Sequence, residues 1–433
     1  MPSHLQQFFP LSGEPKSKFI EKALAWSNQF TYSAYFDPNQ FNYPFQPFKH
    51  MLGVADEHAF VLEANQDHAG FFQLLKKEHK RKWLMGFLGY DLKNELEQLA
   101  SENFELLPFP KALLFEPGVR LEWQDDLLKI EAKNPQDVFD EIWETKFTQG
   151  HLKLEVATTP CFAETEYLHQ VEQIRTWIEN GEVYELNFCL AHKISGLNLQ
   201  ASQLFSKLNA KSPAPFAGYL NAREFGIVSA SPERFMKRSG DMLISQPIKG
   251  TAPRNLNNPK KDAALAEELR KSEKEQAENL MIVDLTRNDL SRSCEPGTVA
   301  VHELFGIYSF SQVHQMISTV IGTKRKEVHF SEAIASAFPM GSMTGAPKIK
   351  AMELIEQLEN FKRGPFSGTF GYIDPEGQFD FNVLIRSIFF NKQNGHGMFA
   401  TGSAITYDSN PVSEWQECAM KGKAIAEVLE TLG

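Results

Sequence analysis

Four cysteines in 433 residues, Cys161, Cys189, Cys294 and Cys418, lie too far apart to form a CxxC pair. Neither a zinc ribbon nor a dithiol redox centre is supported. Scattered thiols suit a reducing compartment, and a cytoplasmic protein is expected. No run of 18 apolar residues occurs, which leaves no candidate for a membrane-spanning helix. The opening MPSHLQQFFPLSGEPKSKF lacks an apolar stretch behind a basic start and is not expected to be a secretory signal. Positive charge is in deficit: 44 Lys and Arg against 55 Asp and Glu give a net charge of −11. That disfavours nucleic acid as a partner, because phosphate binding needs clustered cations. GxGxxG and GxxxxGK[ST] are both absent, as are internal repeats and low-complexity tracts.

What is present is a globular composition, 42% hydrophobic and 35 Phe, which excludes a disordered chain. Short apolar runs at 58–65, 81–92 and 111–123 read as strands in an aromatic-rich first region. Pro, Asn and Thr around 134–160 suggest a linker, dividing the chain into 1–155 and 156–433. An amphipathic helix follows, with Thr165 as its cap, an apolar stripe at Leu168, Val171, Ile174 and Ile178, and Asn180-Gly181 at its end. Strand-like segments occupy 184–194, 216–221, 224–238 and 242–254, and 259–284 reads as one long charged helix. Two helices flank a glycine-rich turn within 328–358. The segment 368–391 alternates on both sides of DPEG, predicting a β-hairpin, and 397–409 predicts another strand and turn. Asn410-Pro411 is a good cap for a last helix over 411–431. Strands follow strands and helices come in blocks, so the expected class is α+β with antiparallel sheets.

Two carboxylate pairs stand out. Glu275 and Glu278 share one helix face, and so do Glu414 and Glu417, with Lys421 four residues on. Two opposed faces of this kind could hold Mg²⁺, a hard cation that takes oxygen ligands. An isolated ExxE is more often a solvated helix face, but both pairs adjoin apolar residues, where a lone carboxylate is costly. Lys249 in QPIKGT ends a strand before a glycine turn. It is either an ordinary solvated lysine or a nucleophile, and the second role calls for an amine made neutral by a lowered pKa. Glu233 in SASPERF is an exposed turn residue or a general acid whose pKa is raised by burial. Arg386, flanked by apolar residues in NVLIRSIFF, needs an anion, either a substrate carboxylate or a structural partner. The turn FPMGSMTGAPK and the small residues Gly402-Ser403-Ala404 offer backbone groups to a ligand, or are simply tight turns.

In this order, GEVYELNFC, SASPERF, PIKGTAPR, ENLMIVDLTRNDLSR, FPMGSMTGAPKIKAMELIEQLE, GTFGYIDPEGQFDFNVLIRS and GSAITYDSNPVSEWQECAMKGKAI resemble the chorismate-utilising enzyme family over about 181–425. PIKGT is most similar to the branch that aminates chorismate at C4, aminodeoxychorismate synthase component I. Anthranilate synthases typically carry alanine in place of Lys249. The resemblance implies a layered sandwich of two antiparallel sheets flanked by helices. It also implies a covalent route. The Lys249 amine adds at C2 as the C4 hydroxyl leaves, then ammonia adds at C4 and expels the lysine. The product, 4-amino-4-deoxychorismate, is a precursor of para-aminobenzoate and folate.

By the same resemblance Glu233 protonates the departing hydroxyl. Glu278 and Glu417 hold Mg²⁺, with Glu275 and Glu414 beside them. Mg²⁺, Lys421 and the backbone of Gly402 to Ala404 receive the ring carboxylate. Arg386 and Ser342 receive the enolpyruvyl carboxylate, and Thr251 lines the pocket. Ammonia is expected from a separate glutamine amidotransferase subunit. Three positions depart from the family pattern. Glu185 stands where water-using members have lysine, which argues against water as nucleophile. Gln315 replaces a histidine near the reacting ring, with His314 expected to point elsewhere, which favours a product that keeps its enolpyruvyl group. Phe366 replaces a tyrosine that contacts the enolpyruvyl carboxylate. In the first region FVLEAN and GFLGYDL are degenerate forms of segments that build a tryptophan pocket elsewhere in the family, and Ala64 replaces a serine common there. The alternatives are anthranilate synthase component I and a catalytically silent binding paralogue.

Overall fold

The computed structural model describes residues 4–63, 70–146, 154–310 and 313–432, so the reading of Ala64 falls outside the described residues. Within them, strands assemble into one twelve-stranded and one ten-stranded sheet. Every pairing is antiparallel. The strand Phe225–Ser231 shows why the sheets stack. Its side chains alternate between faces. Phe225 and Ile227 join the apolar layer between the sheets, and Val228 and Ala230 join a second layer under the helices. Phe36 of one sheet stacks on Phe370 of the other, ring centroids 4.7 Å apart. Ile425 and Val428 of the helix Pro411–Glu430 and Leu204 of Ala201–Lys211 cover the outer face of the larger sheet. The fold is the expected α+β sandwich of two antiparallel sheets with helices outside. Both sheets run across residue 155: Tyr32–Asp37 pairs with Phe216–Ala222, and Leu84–Leu88 with Thr369–Ile373.

Four local expectations need correction. The helix expected over 259–284 is two helices, Pro259–Lys271 and Glu273–Ser291. Ser272 leaves the helical conformation, with ψ at 108°, and its side chain accepts the N–H of Glu275 as a fresh cap. The predicted hairpin pairs only Thr369–Ile373 with Phe379–Asn382. Beyond Asn382 the chain leaves that sheet, and Ser387–Asn391 enters the other. Arg386 therefore sits at the crossover rather than on a hairpin arm, with φ at 52°, a left-handed conformation uncommon for a residue other than glycine. Thr165 lies inside the helix Glu164–Glu179, whose start is closed by Glu166 Oε2 accepting the Ala163 N–H at 2.8 Å. The linker region contains a helix, Pro135–Glu144, with proline in its first turn.

Candidate active site

Strand ends, one turn and two helices meet around a cavity of about 590 Å³, a size usual for small-ligand sites. Every site residue expected from the sequence lines it except Ser403. Ser403 lies on the strand Gly397–Ile405 between Gly402 and Ala404, both on the wall. Strand alternation turns it the other way, and its hydroxyl donates to Glu414. Gly402 is required by packing: a Cβ there would lie 2.3 Å from Asn187 Oδ1.

Glu233 is buried in the turn that links Phe225–Ser231 to Arg234–Ser239. Its Oε1 accepts the Ser342 hydroxyl at 2.7 Å. Burial pushes its carboxyl up to about 7, against the lowering effects of Ser342, Lys249 and the Ile248 N–H. A carboxyl poised near neutrality can deliver a proton where an ordinary one, near 4.5, cannot.

Lys249 emerges from the strand Ile248–Pro253. Its Nζ donates to Glu185 Oε1 at 2.7 Å, in a pair whose side chains are 10% and 1% exposed. Burial alone would lower the amine pKa. Glu185, Glu278 and Glu417 outweigh burial and hold it above its ordinary value. The sequence reading called for a lowered pKa, and the structure instead holds this lysine as an ammonium. Asn279 Nδ2 donates to the Lys249 carbonyl at 3.2 Å and fixes the strand beneath it.

The four clustered glutamates share the wall but not one partner. Burial lifts Glu278 to about 7, helped by Glu275 and Glu185 and opposed by Lys249 and Lys274. Burial also raises Glu275, whose Oε2 lies 3.0 Å from where a Cβ on Gly250 would stand. Glu417 behaves oppositely. Burial would raise it, but Lys421, at 2.6 Å, with Lys249 and Lys274, holds it below the ordinary value. Glu414 takes the Ser403 hydroxyl. Among the described residues no three acidic, His or Cys side chains form a ready-made metal site. The donor set nonetheless suits a hard cation: four carboxylates from two helices line one cavity, one of them lifted to about 7 by burial and crowding.

Lys421 Nζ also donates to the Gly402 carbonyl at 2.7 Å. Arg386 Nη1 donates to the Lys421 carbonyl at 2.7 Å. Burial lowers the guanidinium to about 10, with Glu417 opposing. Its remaining donors suit a carboxylate ligand. Along Val313–Thr323 alternate residues face opposite ways. Gln315 lines the cavity, whereas His314 turns away to Ser309 and Asp262, at 2.8 and 3.1 Å. Phe366 is buried on the wall.

Sequence reasoning missed two contributors. Asn187 lines the cavity and donates to the Ser342 carbonyl at 3.0 Å, steadying the turn that carries the Glu233 partner. Lys274, on the wall 3.8 Å from Glu278, is an unremarked charge in the ExxE region. Its (i, i+4) spacing to Glu278 was the available signal.

The family described as chorismate binding enzyme matches residues 23–427. A protein of Oryza sativa subsp. japonica named probable aminodeoxychorismate synthase, chloroplastic, is 40% identical over 268 residues, 61% of this chain. The match spans only 30% of that relative's own length. Aminodeoxychorismate synthase component 1 of Salmonella typhimurium is 33% identical, covering 80% of this chain and 76% of the relative. Anthranilate synthase component 1 of Thermus thermophilus is also 33% identical, covering 80% and 77%. Among solved structures, the menaquinone-specific isochorismate synthase of Escherichia coli superposes with a TM-score of 0.77 at 18% identity, covering 99% of this chain and 94% of that one.

Proposed function

This chain belongs to the chorismate binding enzyme family, and from that premise we propose that it aminates chorismate at C4 with ammonia to give 4-amino-4-deoxychorismate. The observation that carries the reading is a largely buried lysine and a buried acid lining one cavity. Lys249 and Glu233 line the same cavity, and the Lys249 charge lowers the proton affinity of Glu233. Two opposed functions, nucleophile and proton donor, are what displacement of a poor leaving group such as hydroxide requires.

Chorismate is a dianion. Arg386 takes the enolpyruvyl carboxylate, with Ser342 beside it, and Thr251 and Phe366 close the wall. Lys421 takes the ring carboxylate with the Gly402 to Ala404 strand. Mg²⁺ held by Glu278 and Glu417, with Glu275 and Glu414 near, would neutralise that carboxylate and the crowded glutamates. Glu233 donates its proton to the C4 hydroxyl, which leaves as water. The Lys249 amine forms the C2–N bond while the ring double bonds shift toward C4. Ammonia then bonds to C4, the double bonds shift back, and the C2–N bond breaks to release Lys249. Gln315, an amide in place of an imidazole, offers no base at that position, which favours a product that keeps its enolpyruvyl group.

A glutamine amidotransferase subunit supplies the ammonia in this reading, and the setting is cytoplasmic, where four unpaired thiols persist. Among the described residues no helix is long and apolar enough to cross a membrane. The test is product identity. The purified chain, given chorismate, Mg²⁺ and ammonium at mildly alkaline pH, should yield aminodeoxychorismate by mass spectrometry, and Lys249→Ala should not. Anthranilate as the product would overturn the reading in favour of the activity named for the Thermus relative.

A further inference from the structure

The lysine assigned as nucleophile is held in its unreactive, protonated form, so some group must take a proton from it before it can form a bond. Three elements besides its own strand present charge to Lys249. Glu185 comes from Glu185–Ser195, Glu275 and Glu278 from Glu273–Ser291, and Glu417 from Pro411–Glu430, while Glu233 faces it from its turn. One of these touches the amine: Glu185 Oε1 lies 2.7 Å from Nζ. Glu278 is turned toward Lys274, and Glu417 toward Lys421. Glu185 is 1% exposed, and its Oε2 has no hydrogen-bond partner among the described residues. The oxygen that meets Nζ is therefore the acceptor in contact with the ammonium, and a proton can pass along that hydrogen bond.

Resting on the amination reading above, we propose that Glu185 is the base that takes the Lys249 proton before the amine adds to the ring and returns it when the amine leaves. The electron balance closes. An N–H bond of the ammonium breaks, its electrons remain on Nζ, and the proton passes to Glu185 Oε1. The freed lone pair forms the Nζ–C2 bond, and the C4–O pair leaves as water with the Glu233 proton. The adduct nitrogen is then a secondary ammonium beside a neutral Glu185. When ammonia bonds to C4, the C2–N electrons return to Nζ, which retakes the proton from Glu185. The starting ion pair is restored, the new C4 ammonium returns its extra proton to the Glu233 carboxylate, and no further reactant is needed. The pair thus makes a lysine of raised proton affinity usable near neutral pH, because the proton moves within a closed pair and not to solvent.

The test compares wild type, Glu185→Gln and Glu185→Asp in chorismate amination with saturating ammonium between pH 7 and 9. Circular dichroism spectra are recorded to confirm that the variants fold. Without the base, Lys249 loses its proton only to solvent. Glu185→Gln should be about 100-fold slower than wild type at pH 7. The gap should close by about tenfold for each unit of pH, the dependence of a single proton. Glu185→Asp should keep most of the wild-type rate and its pH profile. A variant-to-wild-type ratio that stays constant across pH would mark a structural role and overturn the proposal, as would Glu185→Gln matching wild type at pH 7. Wild type that makes no aminodeoxychorismate would overturn the amination reading itself, a separate and visible failure.

Discussion

The two ExxE helices carry the same motif with opposite electrostatic outcomes. On Glu273–Ser291, Glu275 and Glu278 are both raised by burial, and Glu278 reaches about 7. On Pro411–Glu430, Glu417 is held below its ordinary value by Lys421, one helical turn away, and Glu414 is satisfied by Ser403. Spacing sets which face a carboxylate shares, but the nearest partner sets its charge. The first pair has its nearest helix cation at 3.8 Å, Lys274 from Glu278, and the second has one in contact, Lys421 at 2.6 Å from Glu417. A cavity with this asymmetry favours a ligand that brings positive charge to one side and negative charge to the other, as a metal-bound carboxylate does.

The sharpest way to break the comparison is to remove the more weakly compensated charge. Glu278→Gln should cut magnesium-dependent turnover by more than about 100-fold, beyond the loss typical of residues that only support a ligand, and titration with Mg²⁺ should show the affinity loss directly. Lys421→Met should make the second pair resemble the first: with its partner gone, Glu417 should titrate at higher pH, and chorismate binding by calorimetry should weaken by at least about tenfold, the scale of one charged hydrogen bond. The third effect concerns stability without metal. Glu233 and Glu278 keep their protons in the folded chain up to about 7, but in the unfolded chain only to the ordinary value near 4.5. Between these values the folded state binds more protons, so stability is fully present below 4.5 and is lost as pH rises through 7. The midpoint of thermal unfolding should fall over that window, and Mg²⁺ should restore it most above pH 7. Ser403→Ala is the mildest change. It leaves Glu414 without its donor and should cost about 1 kcal/mol in denaturant unfolding, with substrate affinity little altered.

Much of the site was legible because chemistry and sequence order coincide. Lys249, Glu233, the ExxE pairs and Arg386 each carry a functional group that a wall of this kind uses, and all of them line the cavity. The sandwich was legible through alternation, as in Phe225–Ser231. Less legible was anything set by tertiary partners. Glu185 read only as a departure from a family lysine, yet its contact with Lys249 joins residues 64 positions apart. Arg386 was placed on a hairpin arm because apolar alternation continues past Asn382, and period alone does not reveal a strand changing sheets. The break at Ser272 was readable after all. Ser272 and Glu275 form an S-x-x-E capping pattern inside what otherwise looks like one helix.

The most direct test of the covalent route is to trap its intermediate. The chain is mixed with chorismate and Mg²⁺ without ammonia, quenched rapidly, digested and mapped by mass spectrometry. The expected result is a peptide containing Lys249 heavier by chorismate less one water, absent from Glu233→Gln and from Lys249→Ala. Amination that proceeds at full rate in the presence of ammonia, with no adduct at Lys249 at any quench time, would contradict it.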